Sequence, residues 1–205
     1  MSNTKALTPE GRFRWVNVFT AKRNYNGDKD VKSIALMIPK KSSLKNLETA
    51  YRQAAVEEFK GKVPGALRKL TGGQKPILKD GDEVYDTRDD DKKPMYEEYR
   101  GCWILQPEAD ANFPLRILGP DGAELFDPAD IYDGAYGQLV INMSAYSAKS
   151  RPGFPGGPMM SVSLLGVKKT RDGEVIETTG GATALSDAEV ASLFGSAAAD
   201  STDDL

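Results

Sequence analysis

Hydrophobicity that alternates with a period of two, interrupted by long stretches of glycine, proline and charge, most restricts what this chain can become. RFRWVNVFT (12–20) is dense in aromatic and β-branched residues, as strands are. VKSIALMI (31–38) sets Lys32, Ile34, Leu36 and Ile38 on one side before Pro39 stops it. Asn26-Gly27 between the two is a hairpin turn signal. Strand character returns in RGCWILQPEA (100–109), around Trp103-Ile104-Leu105, and in the shorter FPLRILG (113–119), which precedes the turn PDG at 120–122. The strongest late alternation is Leu139, Ile141, Met143 within 135–146 and Met160, Val162, Leu164 within 159–170. SAKSRPGFPGGP (147–158) cannot be regular and is expected as a flexible loop.

One stretch switches to helical period. In 42–61, Leu44, Leu47, Tyr51, Ala54, Ala55 and Phe59 share a face, with Ser42 or Ser43 as cap and Gly61 as stop. Its expected role is to cover the end or side of a sheet. Residues 61–98 are rich in glycine, proline and charge, with nine acids against three bases in 80–98, and predict a solvated excursion with one short strand at most. About five strands, an early inserted helix and large loops predict an α+β chain, mainly antiparallel, whose sheet forms a small barrel. The expected domain spans 1–174. Residues 175–205 read as a linker, a short helix at 185–194 with capping-box spacing between Ser186 and Glu189, and a disordered acidic tail.

Composition removes many chemistries. The 205 residues include no histidine, which excludes Ser-His-Asp and Cys-His nucleophiles, histidine zinc sites and an imidazole base. Cys102, the only cysteine, can form no intrachain disulfide, so a reducing cytoplasm is expected. No apolar run is long enough for a signal peptide or membrane span. The net charge of −3 conceals two opposed parts. Residues 1–171 carry +5, whereas 172–205 have eight acids and no Lys or Arg. A basic body joined to an acidic tail points to a polyanion-binding surface with a tethered competitor or partner hook.

The basic residues gather in two loops. Loop 21–30 offers Lys22, Arg23 and Tyr25; loop 147–158 offers Lys149, Arg151 and Phe154, with Tyr146 at its base. Cations that neutralise phosphates and rings that accept any base face are the two components a single nucleic-acid strand requires. In an OB-fold the binding surface lies on strands two and three and on the first and fourth inter-strand loops. These two loops correspond to those positions if 12–20 and 31–38 are the first two strands and 135–146 and 159–170 the last two. The expected groove is lined by Arg12, Arg14, Lys22, Arg23, Lys149, Arg151, Lys168 and Lys169, with Arg100 beside it. Tyr25, Trp103, Tyr146 and Phe154 are the stacking candidates, Trp103 fitting a core position equally well. Phe13, Trp15 and Phe19 are assigned to the core, and Tyr132 and Tyr136 to anchoring the Asp133-Gly134 turn.

A competing constellation, KDGDEVYDTRDDDKK (79–93), has carboxylates enough for a magnesium nuclease. They crowd one hydrophilic stretch instead of converging from separate rigid elements, so neither a metal site nor catalysis is expected. GPDG (119–122) and GFPGGP (153–158) lack the spacing of phosphate-binding loops, and no cofactor is expected.

Several stretches resemble phage-encoded single-stranded-DNA-binding proteins with an OB-fold. They are GRFRWVNVFTAKR (11–23), SIALMIPK (33–40), ILKDGDE (77–83), YRGCWIL (99–105), IYDGAYGQLVINMSAY (131–146) and VSLLGVKKTRDGE (162–174), in the family's order. The resemblance implies sequence-independent binding of single-stranded DNA in phage replication, recombination or repair, without catalysis, and self-association along DNA. It also implies that the acidic terminus, with Asp200, Asp203, Asp204 and Leu205, contacts replication or recombination proteins. This tail ends in leucine where such tails often end in an aromatic residue. The alternative is a virion or assembly β-protein whose basic loops meet acidic protein surfaces.

Overall fold

A computed structural model describes residues 4–24, 27–73, 76–152 and 155–176. Nine strands are linked by hydrogen bonds among these residues. They are β1 (Lys5–Leu7), β2 (Gly11–Arg23), β3 (Asp30–Pro39), β4 (Leu78–Asp80), β5 (Cys102–Leu105), β6 (Glu108–Asp110), β7 (Arg116–Leu118), β8 (Tyr136–Ala148) and β9 (Gly157–Arg171). Helix α1 (Lys45–Glu58) follows β3, and the short α2 (Gly81–Asp86) precedes a 3-10 helix at Lys93–Tyr99. The protein is mostly β with few helices. β2 pairs antiparallel with β3, β3 with β6, β6 parallel with β9, β9 antiparallel with β8, and β8 antiparallel with β2.

β3 is buried on both faces, which explains why its apolar run is almost unbroken. Ile34, Leu36 and Ile38 face the main core, with Phe13, Leu105, Leu139, Ile141 and Leu164. Met37 faces a second, smaller core with Tyr99, Ile104 and Ile176. α1 closes one side of the main core through Leu47, Ala50, Ala54 and Ala55. Leu44, not a serine, occupies the N-cap position, and Ser43 Oγ, one residue earlier, accepts from the Lys45 N–H at 3.5 Å.

The second core corrects the expectation for 61–98. This stretch folds back: Leu67, Leu70, Ile77 and Leu78 join the main core, and β4 pairs with β5. Several of its carboxylates meet cations. Lys40 donates to Asp80 at 2.6 Å and to Asp82 at 2.7 Å, while Lys92 and Lys93 pair with Asp89 and Asp90. The Lys40 ammonium and the Gly101 N–H hold Asp82 below the usual carboxylate range. The packed body also runs two residues beyond the expected end at 174. Ile176 is buried, and its N–H donates to the Asp133 carbonyl at 2.9 Å.

Candidate nucleic-acid interface

β2 determines the site because its register with β3 slips, between Arg14 and Asn17 and again between Asn17 and Lys22. Arg14 faces Ala35 and Asn17 faces Ser33, so β2 spends one residue more than β3 between these pairs. That is a β-bulge, and Trp15 within it has a φ of 53°. The Asp133 carboxylate holds the bulge in place, accepting from the Val16 N–H at 2.9 Å and from Arg14 Nη1 at 2.7 Å. Phe13 and Arg14 are consequently both fully buried, on opposite sides of the strand, and Trp15 turns toward a cleft. The Arg14 guanidinium lies 4.1 Å from the centroid of the Trp15 ring, and Trp15 Nε1–H donates to Tyr99 Oη at 2.8 Å.

The cleft has two compartments that share Trp15, Lys79 and Gln106. The larger, of about 570 Å³, extends to the β2–β3 tip at Lys22, Arg23 and Asn24, with Arg68 on the opposite wall and β3 as floor. The smaller, of about 440 Å³, is bounded by Tyr96, Tyr99, Arg88, Val84 and Ile104. Tyr96 and Tyr99 pack edge to face, 5.2 Å between centroids, and Arg88 covers Tyr96 at 4.4 Å. Burial raises the Tyr99 phenol to about 12.

The electrostatics of the cleft are one-sided. Lys79 stands open to solvent yet surrounded by protein, and its pKa is lowered by desolvation and then by Arg68 and Arg88. Its hydrogen bond goes to a neutral acceptor, Gln106 Oε1, at 2.9 Å. Burial lowers the pKa of Arg68, and the Tyr146 hydroxyl at the base of the β8–β9 tip lies within its electrostatic reach. The acid in the larger compartment is Glu108, which meets Lys29 at 3.8 Å.

The sequence-derived residues divide into several groups. Lys22 and Arg23 line the larger compartment, Arg23 also pairing with Asp30 at 3.3 Å. Tyr146 is 43% exposed on β8, and Lys149 and Arg151 are exposed just beyond it. Tyr25 and Phe154 lie outside the described residues, as do Asp200, Asp203, Asp204, Leu205 and the helix expected at 185–194. Arg14 is a correction. It is an interior cation facing Asp133, with a side chain 1% exposed, and cannot touch a phosphate from there. Trp103 is a second correction. Ile104 faces the cleft, so alternation turns Trp103 to the opposite face, where it packs on the main core under Lys40.

Four more cations sit away from the cleft. Ten residues of β2, at most about 33 Å when extended, separate Arg12 from Lys22. Arg12 donates to the Gly134 and Glu174 carbonyls, and Lys169 pairs with Asp172 at 2.7 Å; Lys168 pairs in register with Gln138 near the same end. Arg100 is exposed beside Glu97 and over Tyr85. The sequence reading missed Trp15, Arg68, Lys79, Arg88, Tyr96 and Gln106. The apolar pairs Leu67/Leu70 and Ile77/Leu78 were the signal that 61–98 returns to the body as a wall.

The fold and cleft define a class: β-rich proteins that present a cationic, ring-lined channel on one sheet face. The chain belongs to a particular family within it, the family of the ssDNA-binding protein of Enterobacter phage Enc34, whose pattern it matches over residues 4–204. No curated protein matches it in sequence. Among solved structures, the fold is similar to the single-stranded DNA-binding protein from bacteriophage Enc34 in complex with ssDNA. That likeness has a TM-score of 0.59 at 21% identity over 85% of this chain and 90% of the other. The same phage protein in a second structure matches with a TM-score of 0.58 at 19% identity over 90% and 89%. Among the described residues, no helix is long and apolar enough to cross a membrane.

Proposed function

We propose that this protein binds single-stranded DNA without sequence specificity along the channel between the β2–β3 tip and the 61–99 wall. The carrying observation is the shared lining of the two compartments, where Trp15 offers a ring face and Lys79 a cation flanked by Arg68 and Arg88. Family membership supports the same ligand. The cyclic pairing β2–β3–β6–β9–β8–β2 supports describing the fold as an OB-type barrel, with β3 and β5/β6 as its second and third strands. The strand then enters past Lys22 and Arg23, crosses Trp15 and runs toward Tyr146, Lys149 and Arg151. Arg12, Lys168 and Lys169 form a separate basic end where a longer strand continues.

The role proposed is in phage replication, recombination or repair in the host cytoplasm, as a binding protein and not an enzyme, with self-association along DNA. The acidic segment beyond Ile176 competes weakly with DNA and, once released, meets partner proteins through Asp200, Asp203, Asp204 and Leu205. A truncation testing this belongs after Ile176, because a cut at 172 also removes a buried residue and the Glu174 carbonyl that Arg12 uses. The direct test is a filter-binding titration with oligo-dT across a salt series. Lys22, Arg23, Arg68, Lys79, Lys149 and Arg151 at about 0.7 counterions each give a log–log slope near −4. Absence of binding at about 50 mM salt, where such contacts are strongest, rejects the proposal in favour of an assembly role.

A further inference from the structure

The smaller compartment has a chemical character that sequence-independent binding does not require. Its polar side chains present hydrogen-bond donors. Gln106 Oε1 is occupied by Lys79, which leaves the Gln106 amide N–H groups. Tyr99 Oη accepts from Trp15, which leaves its own proton to donate. Arg88 and Lys79 can only donate, and Tyr96 alone can do either. Apolar walls from Val84 and Ile104 and the faces of Trp15 and Tyr96, 6.4 Å apart between centroids, complete the space. About 440 Å³ is ample for one nucleobase with its sugar, within the usual range of small-ligand sites.

We propose that this compartment is a base-insertion subsite that takes one nucleotide out of the bound strand and favours bases with keto edges, thymine and uracil over cytosine. The proposal rests on the single-strand-binding reading above. A thymine or uracil inserted beside Trp15 turns its carbonyl oxygens toward Gln106, Tyr99 and Arg88. The N3 edge, a donor in thymine and an acceptor in cytosine, meets the Tyr96 hydroxyl, which serves either; cytosine then differs by placing its exocyclic amine where thymine has O4, donor against donor, and one side goes unsatisfied. Lys79, at the lip shared by the two compartments, is the cation that meets the phosphate of the inserted nucleotide. The rest of the channel contributes charge and stacking that every base accepts, so the selectivity is confined to one position in each bound stretch.

The test compares oligo-dT, oligo-dU and oligo-dC of equal length on the full chain. The expected result is that dT and dU bind about fivefold more tightly than dC, the worth of about one net hydrogen bond. Because polypyrimidine flexibility alone also biases binding, the deciding variant is Gln106→Glu, which replaces a donor by an acceptor at an exposed position. It weakens all three oligonucleotides through its charge but reverses the order, so that dC is favoured. Tyr99→Phe, which keeps the ring, brings the dT/dC ratio toward one. A ratio unchanged in both variants overturns the subsite and leaves the channel intact. Loss of binding to every oligonucleotide in the unaltered protein instead rejects the single-strand-binding reading itself.

Discussion

Replacing Asp133 by alanine isolates the interaction that shapes the site. The carboxylate faces an arginine whose side chain is 1% exposed, at 2.7 Å, while being itself only 19% exposed. Removing one partner of a buried ion pair typically costs about 3–5 kcal/mol, because the remaining charge has lost both water and the group that faced it. Asp133 also accepts the Val16 N–H, whose loss adds about 1 kcal/mol. At roughly 2–4 °C per kcal/mol for a body of this size, the ion pair alone lowers the melting temperature by about 6–20 °C. Arg14→Met costs less, since Asp133 keeps some contact with water and its bond to Val16. Calorimetry on both variants reads the stability, and oligo-dT titration of Arg14→Met across salt reads the role. A structural arginine leaves the salt slope unchanged, whereas a phosphate contact flattens it by about 0.7. A melting shift below about 1 °C for Asp133→Ala, or a flattened slope for Arg14→Met, refutes the interior assignment.

Other perturbations follow from the same geometry. Lys79→Met removes a cation that both compartments share, and oligo-dT binding weakens with a slope shallower by about 0.7. Asp82 is held below its unfolded pKa by Lys40 and the Gly101 N–H, so its contribution is present above the unfolded value and is lost as pH falls through the folded one. Urea midpoints therefore decline as pH drops from about 5 toward 2, and Asp82→Asn flattens that decline. Gly81→Ala drives a methyl group into the Tyr99 carbonyl at the junction of α2 and the 3-10 helix; the second core loosens and the melting temperature falls.

Period and turn chemistry made the five main strands and α1 legible. Each satisfies a local rule: Ile34, Leu36 and Ile38 alternate toward one core, and Leu47, Ala54 and Ala55 recur on one helix face. The site was less legible, because it depends on a violation of period two. Nothing in RFRW announces a bulge at Trp15, and without it Arg14 belongs outside and Trp15 inside. The bulge is stabilised by Asp133, 119 residues from Arg14 in sequence and invisible to any local window. Residues 61–98 misled for a different reason. Their charges are those of a solvated loop, yet local ion pairs such as Lys92–Asp89 neutralise many of them, while six apolar or aromatic residues, from Leu67 to Tyr96, hold the segment to the body. The loop cations at Lys22 and Arg23 were legible because turns and charge are local signals.

Single-tryptophan fluorescence tests the central claim most directly, since the chain has two tryptophans and only Trp15 lines the channel. In Trp103→Phe, emission comes from Trp15, and titration with oligo-dT is expected to quench it strongly at the affinity of the unaltered protein. In Trp15→Phe, emission from Trp103 is expected to stay nearly constant while binding weakens. Quenching that follows Trp103 and is absent from Trp15 contradicts the account.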